Sequence, residues 1–458
     1  MALKIPVLSS IRELPGPARR FLLFTAVNVI SWQSLVGPAM VLYAREIAMP
    51  QSLVGLLMAF LPLSMLLIVF ATPVVSMLGP KRTVFFAWLV RNILISIIFL
   101  SPLALVQIGP RAAWGVLLAG VVAFCSARAF GVSGLLPWIH SIVPSNRRGI
   151  YFSAEGGVVQ AVNVLVMLFQ AFMLRGDPGW PRFLLIFSVG VASGFVSLFA
   201  IARIPGGASL SQPMAPRESW RSYGAAWRDK HFRRFIATST ASFSALMWFI
   251  SSIVLYMRDQ LELVEFHIMM IMAAASCGVL LTIRSWGLYA EHHGSGRTMH
   301  LTLLGFAVSV ACVLALLPGA PWTLYALGPV VILTTIFQAA FSMAAHRAML
   351  NFVKAPEIGY TNIWAMGVAL SLGVTPILAG FTIDHLDLTG FRICFVLAAA
   401  GAGVFGALNR WFVQDGAPLR PIGQIVLDPT LPVRLLFRVA WITSGMHPTS
   451  RDATENAE

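Results

Sequence analysis

Twelve stretches of about twenty predominantly apolar residues recur along this chain of 458, and each is long enough to cross a ~30 Å hydrocarbon layer as a helix. They run approximately over 21–44, 53–77, 83–103, 113–137, 152–174, 182–203, 234–257, 266–287, 299–317, 322–345, 361–383 and 390–412. Lipid offers backbone groups no hydrogen-bond partner, so such runs must be helices. The expected fold is an all-α integral membrane protein, with twelve transmembrane helices in two six-helix halves. Only 11% of the residues are charged, too few to cover the surface of a water-soluble protein, which averages about 25%. That excludes a disordered chain, a disulfide-rich secreted protein and a cytosolic enzyme. The first run is also too long for the apolar core of a cleaved signal peptide.

The net charge is +14. In a soluble chain that excess would suggest nucleic-acid binding, but here the cations lie in the gaps between apolar runs, where they report topology. With the N-terminus placed in the cytoplasm, 23 of the 32 Lys and Arg fall on the inner side. Six fall on the outer side, and Arg91, Arg128 and Arg284 lie within or near the ends of spans. Seven acids, among them Glu46, Asp259, Glu265 and Asp384, lie on the outer side. The reading is a multi-pass inner-membrane protein with both termini cytoplasmic. Cys125, Cys277, Cys312 and Cys394 are scattered through apolar runs without ligand spacing, so no metal and no cofactor is expected.

The longest gap, 204–233, opens with Ile204-Pro-Gly-Gly and closes on Arg228-Asp-Lys-His-Phe-Arg-Arg, a composition suited to an irregular cytoplasmic linker. It divides the chain into a tail and six-helix half (1–203), a central loop (204–233), a second six-helix half (234–413) and a cytoplasmic tail (414–458). Within that tail, Leu431 to Trp441 reads as an interfacial helix. The halves carry related loops. Leu78-Gly-Pro-Lys-Arg82 follows the second span and His293-Gly-Ser-Gly-Arg297 the eighth, their first glycines 215 residues apart. Val143-Pro-Ser-Asn after the fourth span and Ala355-Pro-Glu after the tenth have prolines 212 apart. Parallel repeats of this kind occur in transporter architectures.

On these features the chain resembles the major facilitator superfamily over roughly residues 20–413. That family's inner loop signature has two glycines around an Asp-Arg pair. Gly287-Leu-Tyr-Ala-Glu-His-His-Gly294 is similar, keeping Gly287, Glu291 and Gly294, with Arg297 following. In the first half Gly79, Lys81 and Arg82 remain, while Ser76 and Met77 stand at the Asp-Arg positions. The resemblance implies that these loops gate the inner face. Arg128-Ala-Phe-Gly-Val-Ser-Gly134 is similar to the pattern that the family's proton-coupled antiporters carry in span four. The Gly-Pro hinge that antiporters have in span five is absent, since Gly156-Gly157 is followed by Val158.

Arg91 and Arg128 are the most informative residues. A cation within a span faces the bundle interior or a wet cavity and marks a pathway; the structural alternative is an Arg that snorkels or caps carbonyls. Glu155, one turn into span five, lies at a depth that could pair with either, or could simply favour its own helix dipole. Two deep arginines without a deep acid favour an anionic or zwitterionic substrate. Asn28, Trp32 and Gln33 in span one, Gln160 and Asn163 in span five, Trp248 in span seven, Gln338 in span ten, and Asn362 with Trp364 in span eleven could line the same cavity. Each could equally bond neighbouring helices. No catalytic residues are assigned and no enzymatic activity is expected.

The resemblance implies a secondary transporter of a small solute, with a small-molecule substrate, a co-transported ion and a lipid bilayer as partners, no nucleic acid, and a monomeric state. The favoured cargo is a small organic anion or zwitterion. Two other readings stand beside it: proton-coupled efflux of hydrophobic compounds, and a transporter-like receptor or scaffold without transport.

Overall fold

The computed structural model describes residues 14–143, 148–176, 179–208, 223–315, 322–352 and 358–413. The expected interfacial helix at 431–441 lies outside them. Among the described residues every regular element is helical; ten helices are long and apolar enough to cross a membrane, and with 363–412 counted as two and the shorter apolar stretch from Gln51 added they are arranged as twelve passes. The first is α1 (Gly16–Val36) continued by α2 (Pro38–Glu46), and the second is α3 (Gln51–Leu63) and α4 (Ile68–Leu78). The third is α5 (Pro80–Ile95) continued by α6 (Ser101–Gln107). Single helices make the next seven: α7 (Pro110–Ile142), α8 (Arg148–Met173), α9 (Gly179–Ala202), α10 (Lys230–Asp259), α11 (Glu265–His293), α12 (Ser295–Leu314) and α13 (Thr323–Phe352). The last two passes share α14 (Ile358–Phe412), whose single non-helical residue is Asp387.

Local chemistry explains the interruptions. Proline removes a ladder donor, and the breaks in the first three passes each lie beside one. Gly37 is extended and Pro38 opens α2. Pro62 precedes the 3-10 turn Ser64–Leu67. The turn Ser96–Leu100 leads into Ser101-Pro102. Pro376, by contrast, sits inside the continuous helical stretch of α14. Asp387, at φ 45° and ψ −125°, adopts the first central position of a II′-type turn, which favours glycine.

The repeated loops have the same backbone. Gly79 (φ 80°, ψ 155°) and Gly294 (φ 85°, ψ 154°) each open a helix. Four residues on, Thr83 Oγ1 donates to the Gly79 carbonyl and Thr298 Oγ1 to that of Gly294, both at 2.9 Å. Positive φ excludes most side chains, and a Cβ on Gly79 would also lie 2.2 Å from the Ala208 carbonyl oxygen.

The chain forms two compact units. The first comprises 1–219, 247–274 and 365–394; the second comprises 220–246, 275–364 and 395–458. In the first, Phe21 meets Trp138 and Tyr151 edge-on at 5.3 and 6.4 Å, and Phe24 meets Trp88 at 5.9 Å. These rings tie α1 to α5, α7 and α8. In the second, glycines admit bulky partners: a Cβ on Gly305 would lie 2.8 Å from the Phe337 ring, so α12 and α13 pack closely.

Candidate functional site

A polar cluster in the first unit forms around Arg91. The residue is fully buried on α5. Its Nη2 donates to Asn28 Oδ1 on α1 at 2.7 Å, and its Nε to Asn92 Oδ1 at 3.3 Å. Trp88, three residues earlier and so on the same helix face, donates its indole N–H to the same Asn28 oxygen at 2.9 Å. The guanidinium plane is flanked by the Trp88 ring at 4.4 Å and the Phe124 ring of α7 at 4.9 Å, a cation–π arrangement. Arg91 Nη1 and Asn92 Nδ2 are buried without a partner. Gly194 on α9 makes room for this cluster, since a Cβ there would lie 2.5 Å from Asn92 Oδ1.

Arg128 is half-buried near the middle of α7, fourteen residues from its end and so about 21 Å along the axis. The helix runs five residues past the expected span limit of 137. Among the described residues Arg128 makes no hydrogen bond and no ion pair. Glu155 on α8 pairs with neither arginine. Its Oε1 accepts from Thr25 Oγ1 at 3.3 Å and from Tyr151 OH at 3.5 Å. The first unit thus holds two deep cations, while the acid nearest in depth is engaged by hydroxyls.

Other expected lining residues are placed as follows. Trp32, Gln160 and Trp248 are half-buried, and Gln33 is buried, its carbonyl facing Gln170 Nε2 at 3.4 Å. Asn163 Oδ1 is buried and unpartnered. In the second unit Trp364 donates to Ser239 Oγ at 3.3 Å and stacks edge-on against His346 at 4.8 Å. Gln338 is half-buried there, and the side chain of Asn362 lies outside the described residues. Thr25, Trp88, Asn92 and Phe124 were not singled out from the sequence. Trp88 and Asn92 could have been, since they stand at i−3 and i+1 of a deep arginine. Phe124 could not, because its role comes from packing between helices.

The loop residues divide similarly. Lys81 docks the start of α5 on the segment after α9: its N–H donates to Gly207 O at 2.9 Å, and its Nζ to Ala202 O at 3.0 Å and Ile204 O at 2.6 Å. Arg82 is exposed. Gly287 has ordinary space, with Met343 Sδ at 3.6 Å from a built Cβ. Arg297 is half-buried, and the Glu291 side chain lies outside the described residues.

A second network in the first unit sits where the α2–α3 turn meets the α10–α11 turn and the stretch of α14 just before its Asp387 kink. Arg45 pairs with Asp259 at 3.2 Å, and Arg258 bridges Glu46 at 3.0 Å and Glu265 at 3.3 Å. Arg258 Nη1 also donates to the Leu42 carbonyl. Both carboxylate oxygens of Asp384 accept backbone N–H groups at the start of α3, Gln51 at 2.8 Å and Ser52 at 2.6 Å. Gln51 Nε2 reaches Asp259 at 2.7 Å. Glycines let the backbones meet, since a Cβ on Gly55 would lie 2.2 Å from the Pro376 carbonyl oxygen.

Comparison with known proteins agrees with this architecture. The family model described as Major Facilitator Superfamily matches residues 237–445. Curated proteins gave no sequence match. Among solved structures, a mutant of the nucleoside transporter NupG is similar with a TM-score of 0.67 at 12% identity, covering 87% of this chain and 100% of that one. A D-xylose–proton symporter is similar at 0.63 and 12% identity, covering 87% and 98%. A bacterial homologue of the iron transporter ferroportin, in an inward-facing state, is similar at 0.64 and 12% identity, covering 87% and 99%.

Proposed function

We propose that the chain is a member of the major facilitator superfamily, whose family model matches residues 237–445, and that it is a secondary transporter that moves a small organic anion or zwitterion by alternating access. The observation that supports this reading is the pair of deep arginines. Arg91 presents a buried, unsatisfied Nη1, Asn92 an unsatisfied amide N–H, and Arg128 a guanidinium with no hydrogen bond or ion pair to the described residues. An isolated buried donor costs stability, and a guanidinium fork matches a carboxylate or phosphate in charge and geometry. Arg128, half-buried, receives the anion. Arg91, locked between two rings and Asn28, is a positioning residue that keeps the local potential positive. The similar structures include a nucleoside transporter, a D-xylose–proton symporter and a homologue of an iron transporter, so the fold itself fixes no cargo.

In this reading both termini face the cytoplasm, as the distribution of Lys and Arg favours, and the protein works as a monomer in the inner membrane. The Arg45–Asp259, Arg258–Glu46 and Asp384–α3 contacts then form an outer clasp that opens once per cycle. An ion gradient or a counter-solute drives the exchange.

Counterflow in proteoliposomes tests the proposal, with monocarboxylates, dicarboxylates, amino acids, nucleosides and lipophilic cations as the panel. Anion flux should be present in the parent and fall at least about tenfold in Arg128→Ala, the loss of about one charge-assisted hydrogen bond. Anion flux indifferent to Arg128→Ala would remove that residue from the site. Flux of lipophilic cations alone would favour efflux of hydrophobic compounds, and no flux at all would favour a receptor or scaffold.

A further inference from the structure

Five cations of the first unit gather where α9 ends. Arg20 Nη1 donates to the Arg203 carbonyl at 3.1 Å, and Lys81 Nζ to those of Ala202 and Ile204. Arg19 and Arg82 are exposed beside them. None of the ion pairs among the described residues involves any of the five. The α9 carbonyls engage Arg20 and Lys81, leaving Arg82 with no hydrogen bond to the described residues.

An open recess of about 350 Å³ lies here, lined by Lys81, Arg82, Phe85, Phe86 and Ala202. Its position relative to the bilayer follows from α5. Phe86, Val90, Ile93, Ile97 and Leu100 are 51, 45, 56, 40 and 52% exposed. Spaced by three or four residues, they form one stripe along the third pass, and an apolar stripe open to the outside of a spanning helix faces lipid. Arg82 stands one turn before Phe86 at the head of that stripe, about 6 Å nearer to water. Phe199 of α9, 67% exposed, ends a parallel apolar edge one turn before Ala202 and Arg203. The recess therefore has cations at headgroup level and exposed aromatic rings at acyl-chain level.

We propose that this recess is a binding site for an anionic phospholipid, its phosphate held by Arg82 and Lys81 and its acyl chain lying along the Phe86 stripe. Charge complementarity selects an anionic headgroup over a zwitterionic one. A lipid, rather than a free anion, is favoured because the cations alone are open to water and screening, whereas the aromatic wall adds apolar contact that only an acyl chain can make. Because Lys81 holds the α9 end and the first repeated loop together, lipid bound there would brace that loop.

Native mass spectrometry of the full chain in detergent tests this, with phosphatidylglycerol and phosphatidylcholine of identical acyl chains added at equal concentration. The parent should retain phosphatidylglycerol in preference. Arg82→Gln, a change at an exposed position that fold loss should not confound, should weaken that preference about fivefold, since one interfacial cation contributes about a factor of five. Arg111→Gln, also at an exposed helix start but away from the recess, should leave it unchanged. Phe86→Ala should weaken both lipids without changing their ratio. Equal retention of the two lipids by the parent, or a ratio unmoved by Arg82→Gln, would overturn the site. Displacement of phosphatidylglycerol by an equal concentration of inorganic phosphate would overturn the acyl-chain role and with it the assignment of a lipid.

Discussion

Asp384 offers the sharpest test of the proposed clasp. Its carboxylate accepts the first two N–H groups of α3, so Asp384→Ala removes a helix cap and a contact between distant passes in one change. Hydrogen bonds to a charged group contribute about 1.5–3 kcal/mol when buried. Caps lost to alanine cost about 0.5–2 kcal/mol. Asp384 is only partly buried, which favours about 2 kcal/mol for the two bonds together, equivalent to about a thirtyfold change in the equilibrium between clasped and open forms. Val54, three residues after Gln51 on α3, is fully buried. In a background with Cys125, Cys277, Cys312 and Cys394 replaced by serine or alanine, Val54→Cys should react slowly with a membrane-impermeant maleimide. Adding Asp384→Ala should raise the labelling rate about thirtyfold, as long as opening is brief and reclosure outruns labelling. Asp384→Asn, which keeps one acceptor oxygen, should give an intermediate rate. An unchanged rate in a protein that still melts cooperatively would refute the clasp.

Three further outcomes follow from the geometry. Arg91→Met should melt at or above the parent temperature, because a well-packed apolar side chain removes an uncompensated buried charge, yet anion counterflow should disappear; a large fall in melting temperature would make Arg91 structural. Gly194→Val places carbon 2.5 Å from Asn92 Oδ1 and 2.9 Å from Ser31 Oγ, and overpacking of this kind costs about 1–3 kcal/mol, to be read as a lowered thermal midpoint. Asp387→Gly should instead raise that midpoint by the equivalent of about 1 kcal/mol, since glycine adopts positive φ without steric penalty.

How much of this could be read from residues alone depends on the length scale of the cause. The twelve passes were legible because lipid imposes a local rule on every twenty-residue window. The Gly79 and Gly294 turns were legible for the same reason, their geometry being written into five residues each. Arg91 and Arg128 stood out by cost: a cation is so unfavourable in a span that its presence alone is informative. What the sequence hid was pairing at a distance. Glu155 meets Thr25 across 130 residues and Arg45 meets Asp259 across 214, and no periodicity links such positions. Likewise Phe124 looked like any lipid-facing aromatic until packing set its ring against the Arg91 guanidinium.

The clasp has a mechanical consequence that comes from where the chain passes between its two compact units. Four of those passages fall at 246–247, 274–275, 364–365 and 394–395, inside α10, α11 and twice inside α14, and none of the four is in a loop. A loop absorbs displacement by rotating a few soft dihedrals. A helix must stretch or break its own ladder, so it transmits displacement almost undiminished. The clasped ends of these helices therefore ride on stiff stalks. Asp259, Glu265 and Asp384 lie on three such helices, and Gln51 and Arg258 link them, so a load on any one stalk is shared among these contacts. Their rupture should be concerted, one event with a single barrier, with no sequence of loosening loops.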